Sequence, residues 1–233
     1  MLIKRLLQSV ADVVWPPLCP CCGAVMVRGE KPMCLSCRLA MPLTGDELSP
    51  RANEMVDKLA GTVPLEAAAA YFVYHRESPH ARLIREAKYH GRPSIARQLA
   101  REFGRILQAN GFFDGIDAIT YVPLSFWRQC ARGYNQSRHI ALGLADVAGV
   151  PVVDALKARH HKSQTRRGAA ERRQAVRGVY SARPGALAAV NHILLVDDIC
   201  TTGSTLYACM EALHAACPRM AVSACALAST CKF

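Results

Sequence analysis

The stretch ILLVDDICTTGSTL (193–206) constrains the fold more than any other part of the chain. It opens with four aliphatic residues and no alternation, the pattern of a strand covered on both faces and hence of a parallel sheet. Asp197 and Asp198 follow, then small hydroxyl residues around Gly203. A helix is read over 204–216, where Leu206, Met210, Leu213 and Cys217 fall on one side. In open α/β sheets, ligands sit beyond the carboxyl ends of the strands, which is where the two acids lie. A helix N-terminus offers unpaired N–H groups and partial positive charge, so Thr201, Thr202, Gly203, Ser204 and Thr205 suit an anion. Adjacent acids would repel a bare phosphate. They make sense beside neutral hydroxyls, such as those of a ribose, or beside Mg2+. A sugar phosphate satisfies both halves of the stretch. A helix-capping turn alone would explain one Asp and one Thr, but not two acids followed by TTGST. The sequence has no G-x-x-x-x-G-K-[ST] nucleotide loop.

The same alternation continues through the chain. Strands are read at 67–75, 117–123, 151–156, 192–196 and 221–228. Ile95, Leu99, Phe103 and Ile106 mark one helix, and Ile140, Leu144 and Val147 mark another over 135–148. Strands alternating with helices predict an α/β domain over 66–233, its mostly parallel sheet flanked by helices. A length of 233 residues accommodates that domain and a small module. The formal charge of +11 favours anionic partners: nucleic acid, phosphorylated metabolites or an acidic membrane surface.

No stretch reaches the ~18 apolar residues of a membrane span. Lys4 and Arg5 near an apolar run raise the question of a signal peptide. Asp12 interrupts the run, however, and no small-residue cleavage site follows. With Leu2, Leu6, Val10 and Val13 at helical spacing, residues 1–15 are read as a short amphipathic helix.

Residues 16–42 form a Cys-, Pro- and Gly-rich module, and 43–65 read as a connector. Cys19 and Cys22, then Cys34 and Cys37, make two C-x2-C pairs separated by eleven residues. Two such pairs close a tetrahedral Zn2+ site with no open position, a structural site rather than a catalytic one. An iron–sulfur cluster and free or redox-active thiols are the alternatives. Low apolar content predicts a module that depends on its metal. The chain has 11 cysteines, an odd number, and the six outside the module are scattered. That argues for a reducing cytosol over a secreted disulfide framework.

Residues 193–205 resemble the signature of type I phosphoribosyltransferases: hydrophobic strand, two acids, then T-T-G-[ST]-T. The resemblance implies that Asp197 and Asp198 hold the ribose hydroxyls of phosphoribosyl pyrophosphate (PRPP). It also implies that Thr201 to Thr205 hold the 5-phosphate and that Mg2+ bridges the pyrophosphate. With the four-Cys module in front, the chain is similar to the ComF family, which includes the GntX-type proteins. AKYHG (87–91) resembles that family's K-Y-x-G segment, and VPLSFWRQCARGYNQS (122–137) resembles its run ending in R-G-[FY]-N-Q. Gln164 and Arg172 fall where the family has polar and basic residues. Cys200, Ala175 and Tyr134 depart from its usual choices.

The family resemblance implies a type I phosphoribosyltransferase fold with an N-terminal zinc module. It also implies a role in natural competence, in which incoming single-stranded DNA crosses the inner membrane with an ATP-driven helicase. The location implied is cytoplasmic, with a peripheral place at the inner membrane. An active transferase of unnamed acceptor and a non-enzymatic adaptor for single-stranded DNA or the helicase both fit, since no general base is legible.

Ser125, Arg128 and Arg132 read as a pyrophosphate or anion patch, with Tyr134 placed to stack on a base. The plainer alternative is a solvated helix start capped by Asn135. The segment 157–178 holds eight Lys and Arg residues against Glu171. It reads as a solvated loop, as a hood over the PRPP site, or as a DNA contact through Arg166, Arg167, Arg172 and Arg173. Cys200 lies inside the pocket and reads as an ordinary small residue or, as the alternative, an oxidation-sensitive position.

Overall fold

The computed structural model describes residues 16–89, 91–158 and 178–230. The expected helix at 1–15 and the four arginines of the basic segment lie outside these residues. In chain order the elements are α1 (Leu35–Leu39), α2 (Glu54–Leu59), β1 (Ala68–Val73), α3 (Ala81–Tyr89), α4 (Pro93–Ala109), β2 (Ala118–Tyr121) and α5 (Phe126–Arg132). There follow α6 (Gln136–Ala148), β3 (Leu156–Ala158), β4 (Tyr180–Ala182), β5 (His192–Cys200), α7 (Ser204–Ala216) and β6 (Ala221–Ser229).

The expected parallel sheet has four strands in the order β1-β6-β5-β2. The unbroken aliphatic run of β5 has a direct cause. Leu194 and Val196 enter one core with Phe72, Leu99, Phe103, Ile140 and Leu144. Ile193 and Leu195 enter the opposite core with Met55, Leu59, Leu206, Met210 and Leu213. Helices α4 and α6 therefore cover one face, and α2 and α7 the other. A Cβ on Gly143 would lie 2.4 Å from the Arg97 carbonyl, so this glycine lets α6 close on α4.

Three segments differ from their sequence reading. The strand read at 151–156 reduces to a single parallel bridge from Val152 to Ile119, and β3 starts at Leu156 and pairs antiparallel with β4. Pro151 has no N–H to extend the ladder, so it contributes only its carbonyl, which accepts from Ile119 N at 2.9 Å. The segment 43–65 packs along the outer edge of β1. Leu43 bridges Phe72, Asp46 Oδ2 accepts the Ala70 N–H at 2.9 Å, and Asn53 Nδ2 donates to the Ala68 carbonyl at 2.7 Å. An edge strand is thereby covered. The four-Cys module also shares the main core, where Cys19, Cys21, Met33 and Cys34 are buried with Phe72 and Leu83. Among the described residues, no helix is long and apolar enough to cross a membrane.

Candidate functional site

The connections out of β2 and β5 run in opposite directions. From β2 the chain passes through α5 and α6 to the bridge at Val152, outside β2. From β5 it passes through α7 to β6, on the other side. The gap between β2 and β5 is therefore the topological switch point of the sheet, where such folds open a ligand crevice. β2 ends opposite Val196, whereas β5 continues to Cys200 with partners on β6, Asp197 opposite Ala226 and Cys200 opposite Ser229. The two acids thus stand on a step in the sheet, past the end of the neighbouring strand.

Asp197 Oδ1 accepts from Ser137 Oγ at 3.0 Å and from the Asp198 N–H at 2.8 Å. Burial, and then the Asp198 charge, push the Asp197 carboxyl up to about 7. Asp198 Oδ2 pairs with Lys88 Nζ at 2.9 Å. The loop between β5 and α7 carries the hydroxyls: Thr202 Oγ1 and Ser204 Oγ are 2.8 Å apart, and Thr201 is exposed. No side chain caps α7, so the N–H groups of its first turn, at Ser204 and Thr205, are open to an anion. Gly203 has φ of 73°, and a Cβ there would lie 2.8 Å from the Lys58 carbonyl. Its missing side chain thus serves close packing on α2 as well as the turn. Beneath it, Lys58 is buried, its ammonium held by Ser229 Oγ at 2.9 Å, by the Thr230 carbonyl and by Glu54 at 3.2 Å. Cys200 is buried too, its thiol pushed up to about 11. A protonated, enclosed thiol oxidises slowly, contrary to the oxidation-sensitive reading.

The segment after β2 serves chiefly to position other groups. Asn135 is the N-cap of α6, accepting from the N–H groups of Ser137 at 3.0 Å and Arg138 at 3.4 Å, while its Nδ2 donates to the Val122 carbonyl at 3.0 Å. Tyr134 Oη donates to the Ala87 carbonyl at 2.6 Å, and its ring meets His139 edge-on. Gln136 Nε2 donates to the Lys88 carbonyl at 3.3 Å, and its Oε1 accepts from Arg132 at 3.1 Å. Ser125 lies at the mouth of the crevice, where β2 gives way to α5. Arg132 stands at the other end of that helix, ~10 Å along its axis. The structure therefore does not bring Ser125 and Arg132 together, and the Arg128 side chain lies outside the described part. Lys88 and Ser137 were not among the expected site residues. Their only signal was membership of AKYHG and of the run ending in NQS.

At the module, the Sγ atoms of Cys19, Cys22, Cys34 and Cys37 lie within 4.8 Å of one another, with Cys22 and Cys34 at 3.7 Å. Four Zn–S bonds of ~2.3 Å at tetrahedral angles require ~3.8 Å. Burial raises the Cys19 thiol, but N–H groups of Cys34, Cys22 and Cys21 outweigh it and bring the pKa down to about 6. Cys21, between the ligands, is driven by burial up to about 12. Cys34 and Cys37 are raised, Cys37 chiefly by burial, so it is the spacing of the four sulfurs rather than a shared acidity that fits Zn2+. His80, bonded to the Cys37 carbonyl at 2.8 Å, ties the set to the domain.

The phosphoribosyl transferase domain model matches residues 134–232. Competence protein F of Haemophilus influenzae is 36% identical over 93 residues, 39% of this chain and 41% of that protein. Among solved structures, a glutamine PRPP amidotransferase from B. subtilis, complexed with ADP and GMP, aligns with 60% of this chain and 30% of its own at 21% identity and a TM-score of 0.40. A structure described as the allosteric regulatory enzyme of purine biosynthesis aligns with 60% of this chain and 29% of its own at 24% identity and a TM-score of 0.40. Likeness at that score adds no argument. The phosphoribosyl transferase match spans residues 134–232, which hold both acids and the loop, and with the partial likeness to competence protein F it is consistent with a ComF-type phosphoribosyltransferase-like protein.

Proposed function

We propose that the protein binds PRPP, or another phosphorylated ribose, with Mg2+ in the crevice between β2 and β5. The observation that carries this reading is the two-acid step of β5 leading directly into an uncapped helix N-terminus. Asp197 and Asp198 accept from the ribose hydroxyls. The N–H groups and hydroxyls of Thr201, Thr202, Gly203, Ser204 and Thr205 receive the 5-phosphate. Ser125, the N-cap of α5, is assigned to the diphosphate. Mg2+ would supply the charge that neutralises the diphosphate. If an acceptor exists, these residues can promote transfer only by positioning the sugar and stabilising developing charge. Calorimetric titration of PRPP into zinc-loaded protein, with and without Mg2+, tests the pocket. The wild type should bind, and Asp197→Asn/Asp198→Asn should lose about a hundredfold or more in affinity. A wild type that does not bind refutes the pocket.

A second reading concerns the partner. The relative's name, and a net charge of +11, favour a role in competence. We infer contact with single-stranded DNA through Arg166, Arg167, Arg172 and Arg173, beside an ATP-driven helicase at the cytoplasmic face of the inner membrane. Log affinity for a single strand should fall by about 0.7 per log salt for each phosphate contacted. Salt-independent binding, or binding unchanged when the four arginines are neutralised, overturns it.

A further inference from the structure

Adjacent carboxylates on a half-buried step need a counter-charge in the free protein. Lys88 supplies it from α3, a helix that belongs neither to the strand nor to its loop. The two side chains are 18% and 15% exposed, so their pair is better shielded than a surface ion pair. A ribose bound through Asp198 competes for the same oxygen that Lys88 holds.

Lys88 is also anchored unusually well at its backbone. The final carbonyls of a helix have no partners within it. Here Tyr134 takes the carbonyl of Ala87 and Gln136 takes that of Lys88 itself. The next residue in that segment, Ser137, reaches Asp197. One six-residue run, RGYNQS, therefore fixes the base of the lysine and one of the acids together. The lysine backbone is held while its flexible four-carbon stem carries the ammonium that pairs with Asp198.

We propose that Lys88 is a shared cation: it holds Asp198 in the free protein and turns to the diphosphate of a bound sugar phosphate when ribose hydroxyls take Asp198. Lys88 is then a positioning residue for the acids in one state and a ligand contact in the other. This inference rests on the PRPP reading above and adds to it which side chain meets the diphosphate, and when.

The experiment compares wild type, Lys88→Met and Lys88→Arg in the zinc-loaded full chain. PRPP, ribose 5-phosphate and inorganic pyrophosphate are titrated by calorimetry. Lys88→Met should weaken PRPP and pyrophosphate by about tenfold to a hundredfold, the value of a charge-assisted contact. Ribose 5-phosphate, which has no diphosphate, should bind as well or more tightly, because its hydroxyls no longer displace an ammonium. Lys88→Arg should recover most of the PRPP affinity. Lys88→Gln covers the case in which the methionine variant does not fold. Equal weakening of all three probes would make Lys88 a purely structural prop and overturn the proposal. So would PRPP affinity unchanged by Lys88→Met. A wild type that binds none of the probes refutes the pocket itself and the proposal with it.

Discussion

The four-Cys module and the crevice at the end of β5 are both built from short motifs, but they are completed differently. All four thiols of the module come from residues 19 to 37: a tight turn presents Cys19 and Cys22, and the start of α1 presents Cys34, its N-cap, and Cys37. The crevice draws on three distant segments: Lys88, then Ser125 to Ser137, then Asp197 to Thr205. A site closed by local spacing is legible as a whole from its spacing. A site closed by packing shows only the part that lies on one element. The module, for its part, is not self-contained energetically, since Cys19 and Cys34 sit in the same core as Phe72.

The largest effect should come from breaking that shared core. Cys34→Ser, or zinc removal by a chelator, should lower the stability of the whole domain by several kcal/mol, on the order of 5. Calorimetry should show one cooperative transition moving down. A separate transition for the module, with the domain unmoved, would mean the two regions are independent after all.

Gly203→Ala tests the crevice from its floor. A Cβ at φ of 73°, 2.8 Å from the Lys58 carbonyl, should cost about 1–3 kcal/mol in chemical denaturation and weaken PRPP further. An unchanged midpoint would show that α2 yields easily.

Asp197 gives a pH signature. Its carboxyl is raised in the folded state, so the native protein holds a proton that the unfolded chain has lost between about pH 4 and 7. The contribution of this group to stability is therefore fully present below pH 4 and falls as pH rises towards 7. Asp197→Asn should be more stable than wild type at pH 8 by on the order of 2 kcal/mol, with the difference vanishing near pH 4. A difference that does not depend on pH would contradict the burial of this carboxyl.

The smallest effect should be Tyr134→Phe, which removes the hydroxyl from the Ala87 carbonyl. It should cost about 1 kcal/mol and weaken PRPP only a few-fold, because Gln136 still holds Lys88. A loss as large as that of Lys88→Met would make Tyr134 the principal clamp.

The helix over 204–216 is legible because its stripe of Leu206, Met210 and Leu213 repeats every turn. Helix α3 is not, because Arg82, Arg85, Glu86 and Lys88 crowd its nine residues and its buried side, Ala81, Leu83, Ile84 and Ala87, is short and half alanine. The sequence pattern of β5 stops at Val196, because carboxylates do not look like strand; the strand continues because β6 runs on beside it to Ser229. The segment 43–65 read as a connector because its work is done by polar groups meeting the backbone of β1, which leaves no periodic trace.

By itself, the sequence determined the α/β alternation, the four-thiol set, and the strand of acids entering a hydroxyl loop. Each depends on residues within a turn or a strand of one another, so spacing encodes it. Only the tertiary structure decided that Lys88 and Ser137 complete the acid pair, and that the module shares the domain's core. Those contacts join residues far apart in the chain, where no repeat in the sequence records which ends will meet.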